Sequence, residues 1–486
     1  MIKCVRNFHR KIENLIGFEG IKLKQPEYFR RIVIFILISI VIAAQMAFFG
    51  EVWYSYYRPQ IASPFWYRGN VALIGLYGVI FYLFSRTFGG LKIGYMKKSD
   101  VIYTLILSVI CTNVVVYLQI TLINRWFLNA MPLVITGAAG IAVGIVWVFL
   151  SNAIYYKLYP PKKMLIIYGE YKPDDFIEKL AKRSDKYAVN GVMNVSLGEK
   201  EIKKSIRDYE AVIIWDLPAQ IRNEYLKYCF SHSIRCYVTP KISDIIIQGA
   251  ERIHLFDTPL LLSRNIGMTA EQAFIKRLID IVISLLGIII TSPVMLLIAL
   301  VIKAYDRGPV FYHQERTTIG GQAFMIHKFR SMMIDSEQDG AMLASKNDSR
   351  ITPVGKILRN THLDELPQLF NILKGDMAVV GPRPERKEFI REYTKTIPEF
   401  PYRLRVKAGL TGYAQVFGKY NTTPYDKLKL DLFYIENYSL LLDAELMLMT
   451  FRILFQKETS EGVEDGQRTA LIQPTPQEQE REGSNE

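Results

Sequence analysis

Cysteine is scarce: the chain of 486 residues has four, Cys4, Cys111, Cys229 and Cys236. None falls into a C-x-x-C pair or a His/Cys ligand spacing, which argues against zinc and against a disulfide framework. The N-terminus lacks a short apolar segment closed by a small-residue cleavage site, so a cleaved signal peptide is not expected. Acidic charge is outweighed, with 60 Lys and Arg against 47 Asp and Glu for a net +13. The balance is uneven. Residues 457–486 hold three basic and eight acidic side chains, leaving about +18 on everything before them. Such a charge suits nucleic acid, an anionic membrane face or phosphate-bearing substrates.

Half of the residues are hydrophobic, and the first third holds four long apolar runs, at 32–49, 71–84, 101–123 and 133–154. Three approach or exceed the roughly 20 residues a bilayer span needs. The second is shorter, but Trp66, Tyr67 and the Ser85-Arg86 edge frame it as interfacial residues do. Eight Lys and Arg precede the first run and four lie in the loop 86–100. The other loops carry only Arg58, Arg68 and Arg125. By the positive-inside rule, both ends of a four-helix transmembrane bundle covering residues 1–159 face the cytoplasm.

The texture changes near Lys162. "MLIIYG", "AVIIW" and "RCYVT" read as short buried strands, separated by helix-like stretches, which predicts a Rossmann-like α/β module over 160–262. The turn after its first strand has no G-x-G-x-x-G, and Glu170 carries the wrong sign for a pyrophosphate, so a spacer or regulatory role is expected. A fifth apolar stretch follows within a domain at 263–456. It is long enough to span, yet Lys276 and Arg277 precede it while Lys303 and Arg307 follow it. Ser292-Pro293 also interrupts its middle. Two readings stand: a fifth span, or a re-entrant helix over 275–304 that leaves by the face it entered. Residues 425–455 read as interfacial helices, and the tail 457–486, rich in Glu, Gln and Pro, as disordered.

The domain at 263–456 is basic and dense in motifs. "HKFRSM" sets Lys328 and Arg330 two apart, on one side of an extended run. "RNTHLDELPQLFNILKGDMAVVGPRPE" then joins Asp364 and Glu365. Thr361-x-x-Asp364 fits a capping box, the plain structural reading. Pro367 suits the first turn of a helix starting near Asp364, whose N-terminal dipole would favour an anion. Adjacent helical residues point about 100° apart, so the two acids cannot duplicate one role.

The ordered set "KRLIDIVIS", "KFRSM", "RNTHLDELPQLFNILKGDMAVVGPRPE" and "KAGLTGYAQVFGKYN" resembles the bacterial sugar transferases, polyprenyl-phosphate sugar-1-phosphate transferases. The four spans and α/β module resemble its large members. Ala408 stands where the family usually has proline, Tyr413 where it has tryptophan, and His362 where a small hydroxyl residue is common. The resemblance implies a mostly α, membrane-associated catalytic domain and a phosphotransferase. It would move sugar-1-phosphate from a UDP-sugar to undecaprenyl phosphate and release UMP, initiating exopolysaccharide, capsule or other glycoconjugate synthesis. Asp364 would be the nucleophile, forming an aspartyl phosphosugar, and the protein ligand of Mg2+. Glu365 would assist as base or metal ligand. Arg359 and Arg383 would hold the uridine diphosphate, with Lys328 and Arg330 on phosphate or paired with the acids.

The implied partners are the UDP-sugar, undecaprenyl phosphate and membrane lipids, not nucleic acid. The implied place is the bacterial inner membrane, with the active site on its cytoplasmic face. A homo-oligomer is compatible with the sequence, and the sugar is left open. Two other functions are kept beside this one: a membrane-bound glycosyltransferase releasing UDP, and a non-catalytic scaffold of a polysaccharide assembly complex.

Overall fold

A computed structural model describes residues 26–61, 65–263, 267–333, 348, 350–418 and 422–454. The basic segment 1–25 and the tail 457–486, expected to be disordered, lie outside the described residues. By packing density the chain divides into two units, Met1–Val212 with Asn223–Arg235, and Ile213–Arg222 with Cys236–Glu486.

The first unit opens with four helices: α1 (Pro26–Val52), α2 (Tyr67–Phe88), α3 (Lys98–Asn124) and α4 (Met131–Leu158). Each is long and apolar enough to cross a membrane. Between them lie Val41, Phe49, Phe81, Leu105 and Val148, almost fully buried, while Phe35, Leu83, Leu122 and Phe149 face outward. Helices in lipid have no hydrophobic reason to associate, so spanning helices are held by close approach and polar contacts. Both are present. Gly137, Gly140 and Gly144 line α4, and a Cβ on Gly140 would meet the Gln45 side chain at 2.5 Å. Gln45 Nε2 donates to the Gly140 carbonyl (2.8 Å), Trp53 Nε1 to Asn70 Oδ1 (2.8 Å) and the Tyr77 hydroxyl to Asn113 Oδ1 (3.0 Å).

The α/β region carries β1 (Lys162–Tyr168), α5 (Asp174–Ala181), β2 (Tyr187–Asn194), α6 (Glu199–Ile206), β3 (Ala211–Trp215), α7 (Ala219–Ser231) and β4 (Arg235–Val238). The strands form one sheet in the order β2-β1-β3-β4, with β1 and β2 parallel. Met164–Ile167 and Ala211–Ile214 are buried without alternation, as strands covered on both faces must be.

The second unit continues through α8 (Ile242–Gln248) and an exposed hairpin, β5 (Glu251–Leu255) and β6 (Thr258–Leu262), to α9 (Ala270–Asp306). Thr269 and Gln272 form a capping box at the start of α9. The helix runs unbroken through Ser292-Pro293. Proline leaves the Ile289 carbonyl without its usual donor, and Ser292 Oγ donates to that carbonyl instead (2.9 Å). Both halves of α9 are fastened to one packed core. Near its start, Arg277 donates to the carbonyls of Ile372 and Leu373, and Asp280 accepts from the Val379 N–H (2.9 Å). Toward its end, Met295, Ile298 and Ile302 pack with Phe329 and Leu358.

That core is built from the hairpin β7 (Phe311–Thr317) and β8 (Ala323–Phe329), α10 (Pro353–Asn360), α11 (Gln368–Lys374), β9 (Ala378–Val380), α12 (Lys387–Thr396), β10 (Gly409–Thr411), α13 (Tyr413–Phe417), α14 (Pro424–Glu436) and α15 (Leu440–Leu454). Strands β9 and β10 pair in parallel. Ile372, Met377, Phe400, Leu428, Leu432 and Leu446 are fully buried at its centre, and Ile242 and Ile245 of α8 join them.

Candidate active site

Four segments meet at the acid pair. Strand β8 brings Lys328, α10 ends at Arg359 and Asn360, and a short 3-10 turn, Leu363–Glu365, carries both acids. The loop after β9 brings Arg383. The expected helix start at Asp364 is replaced by this turn. Thr361 closes α10 and its hydroxyl donates back to the Ile357 carbonyl (2.8 Å), so it caps nothing ahead of it. His362 takes the left-handed conformation at φ 54°, which reverses the chain and swings the acids inward. Burial pushes its imidazole below the usual histidine range, toward the neutral form.

Glu365 is held by two cations. Lys328 Nζ and Arg383 Nη2 lie 2.7 and 2.6 Å from the same oxygen, Oε1. Burial alone would raise this carboxyl, but Arg383 and Lys328 outweigh it and keep the group well below the usual glutamate range. Asp364 differs. Its side chain is 8% exposed, and it takes no hydrogen bond or ion pair among the described residues. Burial, joined by the neighbouring Glu365 charge, pushes its carboxyl above the usual aspartate range, with Lys328, Arg359 and Arg383 pulling back. Two adjacent acids are thus shifted in opposite directions. One is a fixed anion; the other is a poised, unpartnered oxygen donor.

Arg383 owes its place to Gly381. A Cβ there would meet the Lys407 carbonyl at 2.3 Å, so only glycine lets the loop run this close to β10. The Gly381 N–H donates to the Thr411 carbonyl (2.8 Å), and the Gly409 N–H to that of Pro382 (2.9 Å). Arg359 lies in the last turn of α10 and acts on Asp364 through its charge. Arg330 points elsewhere, pairing with Asp306 at the end of α9. Five charged residues gather behind the loop: Arg316, Glu385, Arg403, Lys427 and Asp431. Glu385 closes the long motif quoted above, and the other four carry no motif signal.

Among the described residues no three His, Cys, Asp or Glu side chains form a metal-sized group. A magnesium ion commonly binds through one or two carboxylates together with substrate phosphates. Asp364, a hard oxygen donor without a protein partner, fits that mode, whereas Glu365 is already engaged by cations. A cavity of about 430 Å3 lined by Gln248, Tyr413, Phe433 and Glu445 contains none of these residues and no cation, so it does not suit a phosphate.

The bacterial sugar transferase family model matches residues 271–457. The UDP-N-acetylgalactosamine-undecaprenyl-phosphate N-acetylgalactosaminephosphotransferase of Aeromonas hydrophila is 32% identical over 389 residues, 78% of this chain and 84% of that protein. The UDP-glucose:undecaprenyl-phosphate glucose-1-phosphate transferase of Klebsiella pneumoniae is 41% identical over 209 residues, 42% of this chain and 43% of that one. The undecaprenyl-phosphate galactose phosphotransferase of Salmonella typhimurium is 34% identical over 239 residues, 46% and 49% of the two chains. Apolar helices long enough to cross a membrane and a buried, cation-clamped acid pair, in a chain with these relatives, mark a membrane-associated transferase. The chain belongs to the bacterial sugar transferase family.

Proposed function

We propose that the chain transfers sugar-1-phosphate from a UDP-sugar to undecaprenyl phosphate, releasing UMP and starting the assembly of a surface polysaccharide. The observation that carries this is Asp364: a buried carboxylate without a partner, beside a glutamate neutralised by Lys328 and Arg383. Asp364 attacks the sugar-bearing phosphorus of the donor. A carboxylate P–O bond forms, the bridging P–O bond breaks, and UMP leaves with the bridging oxygen. A phosphate oxygen of undecaprenyl phosphate then attacks the same phosphorus, which frees the Asp364 carboxylate and yields the lipid diphosphosugar.

Arg383 and Arg359 offset the donor's diphosphate charge, and Lys328 fixes Glu365 so that it cannot take Asp364's place. Magnesium held by Asp364 and the phosphates would supply further neutralisation of charge. The relatives named above act on three different sugars, so the family membership leaves the sugar open.

Topology supports the same reading. Arg277 hydrogen-bonds to the catalytic core near the start of α9 and Ile302 packs against it near the end, contacts that favour a helix with both ends on the side of that core. We read the helix as entering and leaving by one face, which would put the acids at the headgroups of the inner membrane's cytoplasmic leaflet. The test is a nucleotide assay on purified protein with undecaprenyl phosphate and a panel of UDP-sugars. UMP as product is expected. UDP would instead indicate transfer of the sugar alone, and no turnover with any donor would favour a scaffold.

A further inference from the structure

The charge cluster behind the Gly381–Glu385 loop holds the most buried ion pair among the described residues, Arg403 with Asp431. Arg403 is 2% exposed and Asp431 1%. Their contact is close, with Arg403 Nη2 at 2.8 Å from Asp431 Oδ2. Taking such a pair out of water is costly, and apolar residues of similar volume often serve stability as well or better. Stability alone therefore gives little reason for it.

Its geometry gives another. Arg403 Nη2 also donates to the Arg383 carbonyl (3.0 Å), and Nη1 lies 3.6 Å from Glu385 Oε1. Lys427, one turn before Asp431 on α14, reaches the same Glu385 oxygen (3.2 Å). From β7, Arg316 donates to the Pro384 carbonyl (3.1 Å), while the Thr317 N–H and hydroxyl both donate to that of Glu385 (3.1 and 2.8 Å). With the Gly409 N–H on Pro382, four consecutive carbonyls are tied down. The one belonging to Arg383 depends on Arg403.

We infer that Arg403 and Asp431 are positioning residues: the pair fixes the backbone of Arg383 so that its guanidinium points at Glu365 and the donor diphosphate. Neither residue bonds to either acid of the site, so both act through Arg383. The inference rests on the proposed role of Arg383 as a donor-binding residue.

Full-length protein in detergent is titrated with UDP by calorimetry, beside wild type, for Arg383→Ala, Asp431→Asn, Arg403→Lys and the double variant Arg403→Met with Asp431→Leu. The double variant replaces a buried ion pair with apolar groups and guards against loss of fold. Lysine can meet Asp431 but lacks the rigid guanidinium fork that sets Nη2 between Asp431 and the Arg383 carbonyl with Nη1 toward Glu385. All three pair variants are expected to weaken UDP by roughly ten- to hundredfold, as misplaced site groups do, with binding stoichiometry and unfolding midpoint near wild type in the double variant. Wild-type Kd with reduced stoichiometry would show a structural pair only and overturn the inference. Arg383→Ala weakened with the double variant unchanged would sink the inference alone. Wild-type affinity in Arg383→Ala would sink the donor-binding role, and the inference with it.

Discussion

Asp364 and Glu365 are neighbours in sequence, yet their surroundings shift their carboxyls in opposite directions. Cations fix Glu365 as an anion, whereas burial makes the charged form of Asp364 costly. Asp364→Asn is therefore expected to lower turnover by a factor on the order of thousands or more, as loss of a nucleophile does, measured as UMP release. Because only the ionised acid attacks, wild-type activity should fall on acidification with a midpoint above the ~4 of an ordinary aspartate. The folded pKa is raised, so the folded state binds this proton more readily than the unfolded chain. Above the raised value the ionised group detracts from stability, and that cost lifts as pH falls through it. Asn carries no such charge, so the inactive variant should unfold at neutral pH no earlier than wild type. A clearly lower midpoint would mean that Asp364 supports the fold.

At the scale of elements, what the sequence discloses depends on how local the determinant is. The acid pair and Arg383 sit in one contiguous motif and are legible directly, as are the four apolar helices from their length. Arg403 and Asp431 lie on separate elements with no shared period, and only folding brings them to Arg383. Lys276 and Asp443, 167 residues apart and paired at 2.6 Å, are equally silent in sequence. Helix α8 is the clearest case. Strand–helix alternation places it with the α/β module, yet Ile242 and Ile245 are buried in the core of the catalytic elements. Ile245→Ala should cost about 2–5 kcal/mol, the usual result of emptying a filled core position. Denaturant unfolding of the full-length protein would measure it. A cost near zero would show that α8 is dispensable to that core.

At the scale of the molecule, the proposed reaction would have both ends of α9 on the side that holds the donor. Ser292 and Pro293 lie in the middle of this continuous helix, where the proposed re-entrant path would need a bend, and Ser292 already satisfies the carbonyl that proline leaves open. Pro293→Leu would restore the N–H to that carbonyl and favour a straight helix, so catalytic activity is expected to fall while the protein still inserts. The positions to probe are Glu271 and Arg307, both exposed and flanking the apolar stretch. In a background without native cysteines, Glu271→Cys and Arg307→Cys should behave alike toward a membrane-impermeant thiol reagent. Both should be protected in cells with an intact inner membrane and reactive once it is permeabilised. The two sites are about 54 Å apart along a straight helix at 1.5 Å per residue, more than the ~30 Å of a hydrocarbon core. A straight helix standing across the bilayer would therefore expose them on opposite sides. Labelling of one site in intact cells and of the other only after permeabilisation would establish a crossing helix, and would remove the cytoplasmic placement on which the use of a UDP-sugar depends.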